Sequence, residues 1–72
     1  MSEEMKNKFL AARAEVDKAV VAWRATVADS EADLAAEERA KQAYKAACRI
    51  AATVARDAGM DDEAFVYEYS SL

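Results

Sequence analysis

No proline interrupts this chain, a single glycine stands at position 59, histidine is absent and Cys48 is the only cysteine. With so few natural breaks, long uninterrupted helices become the default backbone. One cysteine excludes an intramolecular disulfide. The lack of histidine removes the commonest zinc ligand and the side chain most often used as a general base near neutrality. Long apolar runs are missing too. The longest, Ala19 to Trp23, falls far short of the ~20 residues that cross a bilayer, and the acidic opening MSEEMKNK lacks the pattern of a signal peptide. A lone thiol suits a reducing compartment, so the expected location is cytoplasmic.

Bulk is scarce as well. Nineteen of the 72 residues are alanine, which inflates the apolar share of 54% because each alanine removes little area from water. The chain is read as one domain, 1–72, and at this size a single core rarely supplies more than ~3 to 5 kcal/mol without help. With no disulfide and no histidine, the remaining supplements are tight helix packing and association. A net charge of -4 is ordinary for a small domain and argues against non-specific binding of nucleic acid by the whole surface.

Apolar periodicity divides the chain into three helices. Met5, Phe9, Ala12, Val16, Ala19, Val20, Trp23 and Val27 recur at three- and four-residue steps, predicting a first helix from about Glu3 to Ala28. Phe9, Val16 and Trp23 fall seven apart on it. The run Asp29-Ser30-Glu31-Ala32-Asp33 breaks the pattern, with Ser30 the expected N-cap of a second helix from about Glu31 to Ala58. That helix carries Ala36, Ala40, Ala43, Ala47, Ile50 and Val54 at alternating four- and three-residue steps. A seam of such small residues predicts close antiparallel packing on the Phe9 and Trp23 face, with helix axes near the short end of the ~8 to 10 Å range. Each arm would span about 26 residues, or ~39 Å.

Gly59 suits the left-handed turn that ends a helix, and Asp61 or Asp62 is expected to cap a short third one. The segment that follows holds Phe65, Tyr67 and Tyr69. As a strand it would have no partner, so a helix is preferred. In that helix Phe65, Tyr69 and Leu72 share one face and are expected to close one end of the hairpin, leaving Tyr67 and the acids Asp61, Asp62 and Glu63 outside. The fold class predicted is all-α: a long antiparallel hairpin plus a short C-terminal helix, associating as a helical-bundle homodimer.

Several surfaces are candidates for function. Leu10, Ala14, Val21, Ala25 and Ala28 form a second apolar stripe on the first helix, which the third helix, a second copy or another protein could cover. Lys41, Lys45, Arg49 and Arg56 lie within about one quadrant of the second helix, with Tyr44 near the margin; they read either as a solvated face or as a stripe for a nucleic-acid backbone. Acids gather at the two ends of the hairpin, where they complement helix starts or offer a patch to a basic partner. Asp61-Asp62-Glu63 lacks the alternating ligands and central glycine of a calcium loop.

Catalytic chemistry is not expected. The sequence shows no phosphate loop and no nucleophile elbow, and Cys48 sits among alanines at the edge of the seam, where a buried thiol is inert. The serines near the ends lack a base to activate them. No cofactor and no metal are implied. The reading is a small non-catalytic protein-binding regulator or inhibitor, of the kind that phages and other mobile elements direct against host or defence complexes. Its protein-binding residues would be Asp61, Asp62, Glu63, Tyr67, Leu10 and Val21. The alternative is an RNA- or DNA-binding helical bundle using Lys41, Lys45, Arg49 and Arg56.

Overall fold

A computed structural model describes residues 3–29 and 33–72. The order is α1 (Glu3–Ala28), α2 (Leu34–Asp57) and α3 (Asp61–Ser70), and the described residues hold no strand. The all-α hairpin with a short third helix is therefore the fold. α1 has the predicted bounds, and its acids Glu3 and Glu4 fall in the first turn, where they complement the helix dipole.

The start of α2 differs from the expectation. Its N-cap is Asp33, whose Oδ1 accepts from the Ala36 amide at 2.6 Å. Ser30, the expected cap, lies outside the described residues. Asp33 is as good a cap as serine, and it stands one residue before the apolar and alanine run begins at Leu34.

Gly59 ends α2 in the left-handed conformation, φ +76°. The Gly59 amide donates to the Arg56 carbonyl at 3.0 Å and the Met60 amide to the Ala55 carbonyl at 2.8 Å. This is the paired closure of a Schellman turn, and Met60 packs against the cluster that holds Ala55, an apolar contact that often accompanies such turns. The turn delivers the chain straight into α3, so Met60 occupies the cap position without a side-chain cap bond, and the Ala64 amide donates to its carbonyl at 2.9 Å. Asp61 and Asp62 are thus first-turn residues of α3, not its caps.

The molecule is thin, 45 × 20 × 13 Å. α2 packs against both α1 and α3. Ala12 and Val16 of α1 meet Cys48 and Ala51 of α2, while Phe9, Ala55 and Ala64 form a second cluster; Val54 and Tyr67 pack against both. The buried residues of α2 are Cys48, Ala51, Ala52 and Ala55. The expected seam of Ala36, Ala40, Ala43, Ala47, Ile50 and Val54 is instead a flank, with Ala43 and Ile50 exposed and the others half-buried. The helix is turned by roughly a quarter of a revolution from the predicted orientation. Its second neighbour is the cause: α3 packs on Ala55 through Ala64, and a helix held from two sides buries the arc between them.

Candidate functional site

The orientation of α3 decides which of its side chains can meet anything else. Two helices approach closely only where the residues between them are small, and Ala64 is the one small apolar residue of α3. It is fully buried against Ala55, which is also fully buried. Three residues on, Tyr67 follows Ala64 into the interface and sets its ring edge-on to Phe9, with centroids 6.1 Å apart. Burial pushes the Tyr67 phenol above its ordinary pKa, with Arg13 opposing the shift and Glu63 and Asp17 adding to it. One further residue along, Glu68 reaches back to form an ion pair with Arg56 at the end of α2.

This arrangement reverses the expected lid. Phe65, Tyr69 and Leu72 are 67%, 72% and 84% exposed. Tyr67, expected outside, is the residue that packs in. The physical reason is size: the alanine surface of α2 admits Ala64 at short range, and with Ala64 seated, positions 65 and 69 of the helix project the other way. The small residue followed by tyrosine three positions later was the sequence signal for the inner face.

The outer face of α3 therefore carries Phe65 and Tyr69 at i and i+4, with Asp62 in line at i-3, and exposed Leu72 follows two residues beyond the end of the helix. Val66, beside it, is also exposed. Asp61, Asp62 and Glu63 are exposed in the first turn, around an open depression that also includes Gly59 and Met60. Phe9 against Ala55 sets the start of α1 beside the end of α2, so Glu3, Glu4 and Asp57 share this end of the molecule. The result is a large apolar strip rooted in a negative field.

The other predicted residues separate. Leu10 and Val21 are exposed on the side of α1 away from α2, and α3 does not cover them, since it docks beside Phe9. On α2, Lys41 and Lys45 are half-buried, Arg49 is exposed, and the Arg56 guanidinium is held by the Glu68 carboxylate, which raises its pKa above the ordinary value. Tyr44, at the margin of this stripe, turns its ring toward α1. Its ring lies 5.4 Å from that of Trp23, and burial raises the pKa of its hydroxyl, with Cys48 acting in the same direction and Ser70 and Arg24 against it.

Cys48 is central to the core, not at its edge, and is fully buried. Among the described residues no group of three or more His, Cys, Asp or Glu is placed to hold a metal ion, and no helix is long and apolar enough to cross a membrane. Val20, Trp23, Arg24, Val27, Ala28 and Tyr44 line an open apolar groove of ≈430 Å³ toward the C-terminal end of α1. No protein-family model, no curated protein and no solved structure matches this chain.

Proposed function

We propose that this chain is a non-catalytic protein-binding regulator or inhibitor that presents α3 to an apolar groove on another protein. The observation that carries this reading is the exposure of Phe65 and Tyr69 on one face of α3, with Leu72 exposed just past the end of the helix. Apolar anchors one turn apart, at i and i+4, are part of the pattern by which a helix lays its apolar face into a partner's groove. Large aromatic side chains are the residues that most often dominate such contacts.

Charge specifies the partner further. Asp61, Asp62 and Glu63 begin the helix, so the receiving groove carries basic groups at the end that meets them. Docking against α2 holds α3 helical before it binds, which spares the ordering cost that an isolated ten-residue helix would incur. Leu10 and Val21 extend apolar surface along α1 for a partner that reaches beyond α3. The buried Cys48 thiol fits residence in a reducing cytoplasm. Pairing of Arg56 with Glu68 counts against a phosphate-binding use of the α2 stripe.

The test is affinity capture, identification of the bound protein, and titration with that protein purified. Replacing both Phe65 and Tyr69 by serine should weaken binding at least ~100-fold, as loss of two central anchors does. Charge reversal at Asp61, Asp62 and Glu63 should slow association and lessen its dependence on salt. Capture that survives the double serine variant unchanged refutes the assignment.

A further inference from the structure

Opposite α3, the hairpin carries a flank that nothing in the described chain covers. Ile50 is 61% exposed and stands as a ridge between two shallow grooves. One, of ≈340 Å³, is walled by Ala12 and Glu15 of α1 and by Ala43, Ala46 and Ala47 of α2; the other, of ≈260 Å³, lies along Arg49, Thr53 and Val54. Ile50 is five residues from Ala55, which packs against Ala64 of α3, or about 140° round the helix, so this flank faces away from α3. We propose that it docks a second copy of the same chain, α2 against α2 in antiparallel orientation about a two-fold axis, with each Ile50 entering the alanine-lined groove of the other.

Three observations select a second copy as the occupant. The first is shape: ridge and receiving groove lie next to each other on one surface, which is what a two-fold interface requires, because each copy must supply both halves of the contact. The alanines of the groove let the two α2 backbones approach closely, as in a four-helix arrangement of paired hairpins. The second is charge. Arg49 stands beside the inserting ridge and Glu15, whose own ion pair with Lys18 is exposed and long at 3.8 Å, forms a wall of the groove that receives it, so the two-fold operation brings each arginine toward the glutamate of the second copy. The third is area. A compact monomer of 7.9 kDa exposes about 4,400 Å² by the usual scaling with mass, whereas this chain exposes 5041 Å². The excess of about 600 Å² goes with the thin 45 × 20 × 13 Å shape, which leaves this long flank of the hairpin open to a partner. The Leu10 and Val21 stripe is a weaker host for the same occupant, because Asp17 and Lys18 interrupt it.

Pairing this way leaves α3 free on both copies, so the dimer would present two α3 strips. Sedimentation equilibrium of the full chain across the micromolar range decides the matter. The unaltered protein should dimerise. Ile50→Glu should raise the dissociation constant at least ~100-fold, because the change enters a symmetric interface twice. Helical content should stay unchanged, since position 50 is exposed, and Ile50→Ser should show a smaller loss in the same direction. Val21→Glu and Phe65→Ser should keep the original constant. A protein that stays monomeric throughout overturns the proposal, as does a dimer that Val21→Glu or Phe65→Ser dissolves as strongly as Ile50→Glu. Partner capture through α3 is read separately, so failure of one leaves the other standing.

Discussion

Replacing Tyr67 and Phe65 by alanine, one at a time, should give opposite results from those that residue size alone suggests. Tyr67 is half-buried, packs against both core clusters and meets Phe9 edge-on at 6.1 Å. Fully buried aromatics cost ~3 to 5 kcal/mol on truncation to alanine, so a half-buried ring with one specific aromatic contact should cost ~2 to 3 kcal/mol. For a domain of this size that is a fall in Tm of ~10 to 20 °C, and it approaches the whole stability such a chain commands. Phe65 is 67% exposed, and its loss should lie within ~0.5 kcal/mol of neutral, since alanine is also the better helix former. Thermal and urea melts followed by far-ultraviolet circular dichroism measure both. Should Tyr67→Ala leave the protein unfolded from the start, Tyr67→Leu gives a smaller loss that can be measured. The reasoning is refuted if Phe65→Ala costs ~2 kcal/mol or more while Tyr67→Ala changes little.

Other consequences follow from the same packing. Ala51→Leu should cost ~1 to 3 kcal/mol by overfilling the contact with Ala12 and Val16, whereas Ala35→Leu, at an exposed position of α2, should stay within ~0.5 kcal/mol in the same urea melts. Asp33→Ala should remove ~1 kcal/mol by leaving the Ala36 amide without its acceptor. The Tyr44 and Tyr67 hydroxyls both have raised pKa values in the folded state, so their contribution is fully present below the unfolded value of about 10 and is lost as pH rises through the folded values. Melts above about pH 10 should therefore show falling stability, and Tyr44→Phe with Tyr67→Phe should flatten the decline.

Much of the fold was legible because helix ends are written in single residues. Gly59 marked the left-handed turn, and the Phe9, Ala12 and Val16 spacing marked the buried face of α1. The rotation of α2 was not legible. With alanine at 19 of 72 positions, several faces of that helix offer small residues, so periodicity cannot choose among them, and the choice falls to where α3 docks. The face of α3 was hidden for a related reason. Ala64, Phe65, Val66 and Tyr67 are consecutive and apolar all round the helix, so size favoured Phe65, Tyr69 and Leu72 as the inner set. Close approach to Ala55 instead selected Ala64 and carried Tyr67 in with it. The acids Asp61, Asp62 and Glu63 were placed correctly at the outer start of this helix, but the strip they accompany is Phe65 to Leu72 and not Tyr67.

The central claim, that α3 docks by Ala64 and Tyr67 and holds Phe65, Tyr69 and Leu72 outward, is tested most directly by nuclear Overhauser contacts in isotope-labelled protein. The account predicts cross-peaks from the Tyr67 ring to the Phe9 ring, whose centroids lie 6.1 Å apart, and from the Ala64 methyl to that of Ala55, with the Phe65 ring showing contacts only within α3. Cross-peaks from Phe65 or Tyr69 to Phe9, Ala51 or Ala55, with Tyr67 lacking them, would contradict it.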